Sequence, residues 1–157
     1  MSVVFTKFEI MASHSQSKVC FFFESVKPNL RDRIKLKKFI ESIFKKEKKK
    51  LKSLNYIFCT DNRLLQINRD YLKHDYYTDI ISFDLSENSM IIQGEIYISI
   101  NRVRDNASQL LIPFKTELLR VIFHGALHLC GYKDKSIKEK IQMRGMEDRY
   151  MSKYLGL

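Results

Sequence analysis

The chain has 157 residues, 45% of them apolar, with only five Gly and two Pro. That composition excludes a disordered or fibrous chain and suits one ordered α+β domain. With 28 Lys and Arg against 18 Asp and Glu, the formal charge of +10 suits a polyanionic partner, nucleic acid being the commonest. The bland alternative is a basic surface that only aids solubility. Three cysteines, Cys20, Cys59 and Cys130, have no paired spacing and read as free thiols in a reducing compartment. No apolar run is long enough to span a membrane. The N-terminus lacks the compact apolar segment of a secretion signal, so a cytoplasmic protein is expected.

Residues 1–17 carry a polar stretch, "SHSQSK", and are expected to form a loose extension, with 18–157 as a single catalytic domain. Met11 is an alternative start, and His14 belongs to this exposed segment. "VCFFFESV" (Val19–Val26) is short and rich in β-formers, a strand. Asn29 is placed to cap a helix from Leu30 to about Lys48, with Ile34, Leu36, Phe39, Ile40, Ile43 and Phe44 on its apolar side. Its lysine-rich end complements the helix dipole, although RNA phosphates could also use it. "SLNYIFCT" (Ser53–Thr60) predicts a second strand. Thr60 or Asp61 then caps a helix through Leu64, Leu65, Asn68, Tyr71 and Leu72. "TDIISFDL" (Thr78–Leu85) and "GEIYIS" (Gly94–Ser99) predict two neighbouring strands around a turn.

Three helices follow. Ser99 caps one through Val103, Ala107 and Leu110, Pro113 interrupts it, and a long helix covers about Pro113–Cys130. Ser136 and Glu139 form a capping box for the last, which runs to about Tyr154.

The long helix carries the chemistry. It is apolar on nearly every face from Leu118 to Leu129, so it is buried, yet it holds His124 and His128. Buried imidazoles need partners. At i and i+4 they share one face, with Cβ atoms roughly 5–6 Å apart, and can meet one metal ion. Gly131 suits a left-handed helix stop, and Asp134 then lies on the returning segment as a third ligand. Three protein ligands with an open fourth position describe a catalytic zinc site. Cys130 is discounted, since it points about 200° from His128, and His74 is a minor alternative ligand. The zinc-protease helix has a Glu as general base at the position of Gly125, so the protease reading loses its base. Gly125 is instead expected to allow close helix packing or to leave room for substrate.

"HGALHLCGY" (His124–Tyr132), together with "INRDYLKHDYYTDIISF" (Ile67–Phe83) and "GEIYIS", resembles the YbeY family, the metal-dependent endoribonucleases of ribosomal RNA maturation. The likeness runs from about Val19 onward. It implies an α+β fold with a small mixed four-stranded sheet against helices, one of them the buried metal-binding helix. It also implies cleavage of single-stranded RNA, action on ribosomal RNA 3′ ends and ribosome quality control, with the small ribosomal subunit and its proteins as partners. Neither a membrane nor DNA is expected. Three residues depart from the family pattern. Asp134 stands for the usual third His, Leu72 for an Arg and Tyr77 for a Pro.

The leading expectation is a ribonuclease in which His124, His128 and Asp134 hold one Zn2+, while Lys73 and Arg69 hold the phosphodiester. No general base is assigned. Asp75 and Asp79 are expected to cap turns, Ser82 to be a hydrogen-bonder in the sheet or behind the site, and Tyr132 to pack the turn or stack a base. The alternative is a non-catalytic RNA-binding assembly factor with a structural metal, and a metalloprotease comes third.

Overall fold

The computed structural model describes residues 17–157. Most of the expected loose extension, with Met11 and His14, lies outside the described residues. Four strands form one mixed sheet in the order β1-β2-β4-β3. They are β1 (Val19–Phe23), β2 (Lys50–Cys59), β3 (Ile80–Asp84) and β4 (Ile91–Ser99). β1 and β4 both run parallel to β2, and β3 closes the far edge antiparallel to β4. Five α-helices accompany the sheet among the described residues: α1 (Arg33–Lys46), α2 (Asp61–Ile67), α3 (Ile100–Gln109), α4 (Phe114–Leu129) and α5 (Ile137–Leu155). The expected α+β class and mixed four-stranded sheet are both present.

Alternation along the strands creates two cores. Leu54, Tyr56 and Phe58 of β2 point to one face and Ile57 and Cys59 to the other. The first face, with Ile92, Ile96 and Ile98, packs under α1, α4 and α5. The second meets Leu64 and Ile67 of α2, with Ile81 and Tyr97. The Tyr56 hydroxyl crosses the first interface and donates to the Ile122 carbonyl at 2.8 Å, pinning α4 to the sheet.

Several expected boundaries move. β1 ends at Phe23 because Ser25 turns the chain with a positive φ. Asn29 does not cap α1. The helix starts at Arg33, after Asp32 in a left-handed conformation whose side chain makes no capping bond. Ile34, expected in the core, is 74% exposed. It lies nine residues, about 180° of helix, from buried Ile43. α1 stops at Lys46, and left-handed Lys48 redirects the chain so that β2 begins at Lys50, opposite Ile91. α2 ends early and widens into a π-helical turn, Asn68–Leu72, which leaves Tyr71 and Leu72 exposed. The expected caps at Thr60 and Ser99 are present, as is the complete Ser136–Glu139 box. All three cysteines are free. Among the described residues no helix is long and apolar enough to cross a membrane.

Candidate metal centre

α4 is buried along its length because it lies between the sheet and the other helices. Gly125 makes the close approach possible. A Cβ there would sit 2.9 Å from Ile80 Cδ1 and 2.9 Å from Ile96 Cδ1. Of the two expectations for Gly125, close packing is the one observed. The next residue along the chain from His124 thus faces the sheet, and His124 faces away from it, toward α5 and the turn after α4.

That turn is a Schellman motif. The Tyr132 N–H donates to the Leu127 carbonyl at 3.1 Å and the Gly131 N–H to the His128 carbonyl at 2.9 Å. Gly131 has φ 106°, a conformation that suits glycine. The same turn orients a site residue, because His128 Nδ1 meets the Tyr132 carbonyl oxygen at 2.9 Å. A carbonyl can only accept, so Nδ1 carries the proton and the Nε2 lone pair is free. Glu47, just past α1, holds the turn from outside: its carboxylate accepts from the Tyr132 hydroxyl at 2.8 Å and from the Tyr150 hydroxyl. Tyr132 therefore packs the turn. Burial and the Glu47 contact push its phenol up to about 12.

His124 is oriented the same way from α5. Its Nδ1 lies 2.7 Å from Glu147 Oε1. Glu147 is buried, and its other oxygen accepts from Arg120 at 3.2 Å and Arg144 at 3.3 Å. Burial alone would raise the Glu147 pKa. The His124 hydrogen bond and the Arg120 charge outweigh it and hold the carboxyl below its usual range. Burial likewise works against a charged His124, but Glu147, Asp134 and Asp79 together lift its pKa above the ordinary imidazole value.

Both imidazoles then converge on the third residue. His124 Nε2 and His128 Nε2 each lie 3.4 Å from Asp134 Oδ2. One donor atom from each of the three residues falls within 4.8 Å of the others. The fit to a metal is specific. Ligands about 2.05 Å from a tetrahedral ion stand about 3.3 Å apart, which is the N···O separation seen here. Both Nδ1 atoms are committed elsewhere, both Nε2 atoms face the centre, and the outer partners are a carboxylate and a carbonyl, as at biological metal sites. Cys130 stays outside the set. Burial, with Glu47 nearby, pushes its thiol up to about 12, and it is not among the donors that lie within reach of one another.

The remaining expected residues are scattered around this centre. Asp79 accepts from Asn106 Nδ2 at 3.1 Å, which ties the start of β3 to α3. Burial raises its pKa, partly offset by the charge of His124 and by backbone N–H groups including that of Ile80. Arg69 pairs with Asp75 on the surface, and Lys73 Nζ donates to the Asp70 carbonyl at 3.0 Å. Both cations belong to the π-helical turn and its end, beyond the three-donor group. Asp75 is thus an ion-pair partner, rather than the turn cap expected of it. His74 stacks on Tyr76 and is outside the donor group. The buried Ser82 hydroxyl has no hydrogen-bond partner within the protein, contrary to expectation, on a strand residue paired with Ile96.

Glu147 was missed from sequence, although a signal exists. Met143, Glu147, Tyr150, Met151 and Tyr154 form the buried stripe of α5, so Glu147 is a carboxylate on an apolar face. Replacing it with Ala is expected to weaken divalent-metal affinity about 10–100-fold and to destabilise the fold by about 3 kcal/mol, since Arg120 and Arg144 lose a buried partner. Glu147→Gln can still accept from Nδ1 and should recover most of the metal affinity, but little of the stability, because its amide NH2 then faces the donors of Arg120 and Arg144. Metal titration calorimetry and thermal melts check this.

Three donors gathered at the end of a buried helix, all partly exposed, define a metal-dependent hydrolase better than a closed structural site. The family model described as Endoribonuclease YbeY matches residues 24–155. The chain belongs to the YbeY endoribonuclease family, as its motifs suggested. It is 53% identical over 134 residues to Endoribonuclease YbeY of Cytophaga hutchinsonii, covering 85% of this chain and 94% of that protein. Endoribonuclease YbeY of Porphyromonas gingivalis strain W83 is 43% identical over 134 residues, covering 85% and 87%. The solution structure of TM1509 from Thermotoga maritima superposes with a TM-score of 0.63 at 28% identity, over 88% of this chain and 89% of that one.

Proposed function

We propose that the protein is a zinc-dependent, single-strand-specific endoribonuclease that acts in ribosomal RNA maturation, at the 3′ end of the small-subunit RNA, and in ribosome quality control. The observation that carries the reading is the aim of two Nε2 lone pairs and one carboxylate oxygen at a single point, with 3.4 Å between each nitrogen and that oxygen. His124, His128 and Asp134 are the ligands. Two nitrogens and one oxygen suit Zn2+, and the oxygen leaves the site more open to harder ions than three imidazoles would. When bound, the ion supplies Lewis acidity toward a phosphoryl oxygen and a more acidic water.

The chain's own residues do the rest. Glu147 and the Tyr132 carbonyl keep both imidazoles in one tautomer. Arg69 and Lys73 hold the phosphodiester, with Arg69 exchanging Asp75 for phosphate. That exposed ion pair is worth at most about 1 kcal/mol, so a phosphate can displace it. The +10 charge supports an RNA partner. The small ribosomal subunit with its associated proteins, met in the cytoplasm, completes the reading.

The test is cleavage of a labelled single-stranded RNA before and after chelation. Cleavage should disappear with the chelator and return with one equivalent of Zn2+. RNA binding unaffected by chelation, with no cleavage in either state, would instead favour the assembly factor whose metal is structural.

A further inference from the structure

The segment from Tyr71 to Tyr77 exposes more aromatic surface than its neighbours need. Tyr76 is 57% and Tyr77 47% exposed, and Tyr71 is exposed as well. These rings belong to a built surface. His74 lies parallel to Tyr76, with centroids 5.2 Å apart and planes at 21°, and the Tyr76 hydroxyl meets His74 Nδ1 at 3.0 Å. Buried Asn68 clamps the loop at both ends: its Nδ2 donates to the Tyr76 carbonyl at 2.9 Å and its carbonyl accepts from the His74 N–H at 3.2 Å. The Arg102 guanidinium sits 4.6 Å from the Tyr77 ring centroid and is itself held by Asp61 at 2.9 Å.

This ledge is linked along the chain to the metal centre through Asp79. Tyr77 is two residues from Asp79, whose carboxyl feels the charge of His124. Two residues of extended chain span at most about 7 Å. Ile80, one residue further, packs against α4 at Gly125, about 100° around the helix from His124. Arg102 lies over the Tyr77 ring, and Arg69 and Lys73 belong to the turn that leads into this segment, so a polyanionic strand would meet positive charge along it.

We propose that Tyr76 and Tyr77, with His74 stacked behind Tyr76, form a base-stacking subsite that seats unpaired nucleotides of an RNA strand next to the scissile phosphate. The inference rests on the ribonuclease reading and adds to it the means of selecting single strands. Bases in a duplex already stack on each other, whereas an unpaired base can place its face on a ring. Lys73 and Arg69 then serve the phosphates and the rings serve the bases.

The experiment is equilibrium binding of a cleavage-resistant single-stranded RNA analogue with 2-aminopurine at each position in turn, in the zinc-loaded protein. The Tyr76→Ala/Tyr77→Ala double variant should bind at least about 10-fold more weakly, because each base–ring stack is worth about 5-fold or more and two are lost. It should also lose the quenching of one or two 2-aminopurine positions. The Tyr76→Phe/Tyr77→Phe variant keeps both rings and should restore affinity and quenching, and all variants should keep one equivalent of zinc. Unchanged affinity in the Ala variant would overturn the subsite while leaving a wild type that cleaves RNA as a ribonuclease. So would equal affinity of the wild type for a duplex of the same sequence. Wild-type protein that neither binds nor cleaves single-stranded RNA would remove the ribonuclease reading and the subsite together.

Discussion

Substituting His128 with Ala is expected to abolish stoichiometric zinc binding and to reduce RNA cleavage by at least about 1,000-fold. The metal's electrostatic contribution to such chemistry is several kcal/mol, and each 1.36 kcal/mol is tenfold in rate. The loss of affinity should exceed the about 10–100-fold range of an outer partner such as Glu147, because a ligand itself is gone. Stability should fall much less. The variant forfeits the Nδ1 bond to the Tyr132 carbonyl, worth about 1 kcal/mol, while the Schellman bonds of the turn remain. A thermal melt in the presence of chelator therefore separates lost chemistry from lost fold. Asp134→Ala should behave in the same way. Asp134→His, which gives the residue the family usually has, should bind zinc more tightly and discriminate better against magnesium and manganese. If Asp134→Ala keeps one tight equivalent of zinc, Asp134 is not a ligand and the open side of the site has been misassigned.

The parts of this site that could be read from the sequence are local ones. His124 and His128 are one helical turn apart, and Gly131 and Asp134 follow within ten residues of His124, so helix geometry and one glycine suffice to bring them together. The Ser136–Glu139 box is local for the same reason. What could not be read depends on distant pairing. Glu47 reaches Tyr132 and Tyr150 across 85 and 103 residues. Glu147 reaches His124 across 23. Lysines at 50 and 52 conceal the start of β2, which forms because β4 offers it a partner. Ile34 looked like core because it is apolar. Only the true start and rotation of α1 show it on the solvent side.

Gly125→Glu is expected to yield little folded protein and no peptidase activity, although it recreates the His-Glu-x-x-His spelling of a zinc protease. The position is buried against the sheet, with a Cβ placed 2.9 Å from two isoleucine methyl groups and 3.0 Å from Ile96 Cγ2. Even alanine is a contest there. It gains about 1 kcal/mol of helix propensity over glycine and incurs about 1–3 kcal/mol of overpacking. The Ile80 and Ile96 Cδ1 ends can swing aside, but Ile96 Cγ2 sits on a β-branched carbon and cannot do so alone. Gly125→Ala should therefore fold with a melting temperature lowered by about 2–4 °C per kcal/mol of the net loss. Glutamate adds a carboxylate to an apolar interface with no cation across it, a penalty of several kcal/mol on a domain whose whole stability is about 5–15 kcal/mol. Soluble yield, circular dichroism and casein hydrolysis measure the outcome. A folded, casein-cleaving Gly125→Glu variant would mean that residue 125 faces the metal rather than Ile80 and Ile96. On the geometry found here the two histidines and residue 125 point to different sides of α4. The absence of a base at that position then follows from how the helix is packed, and the base for phosphodiester cleavage must come from another element.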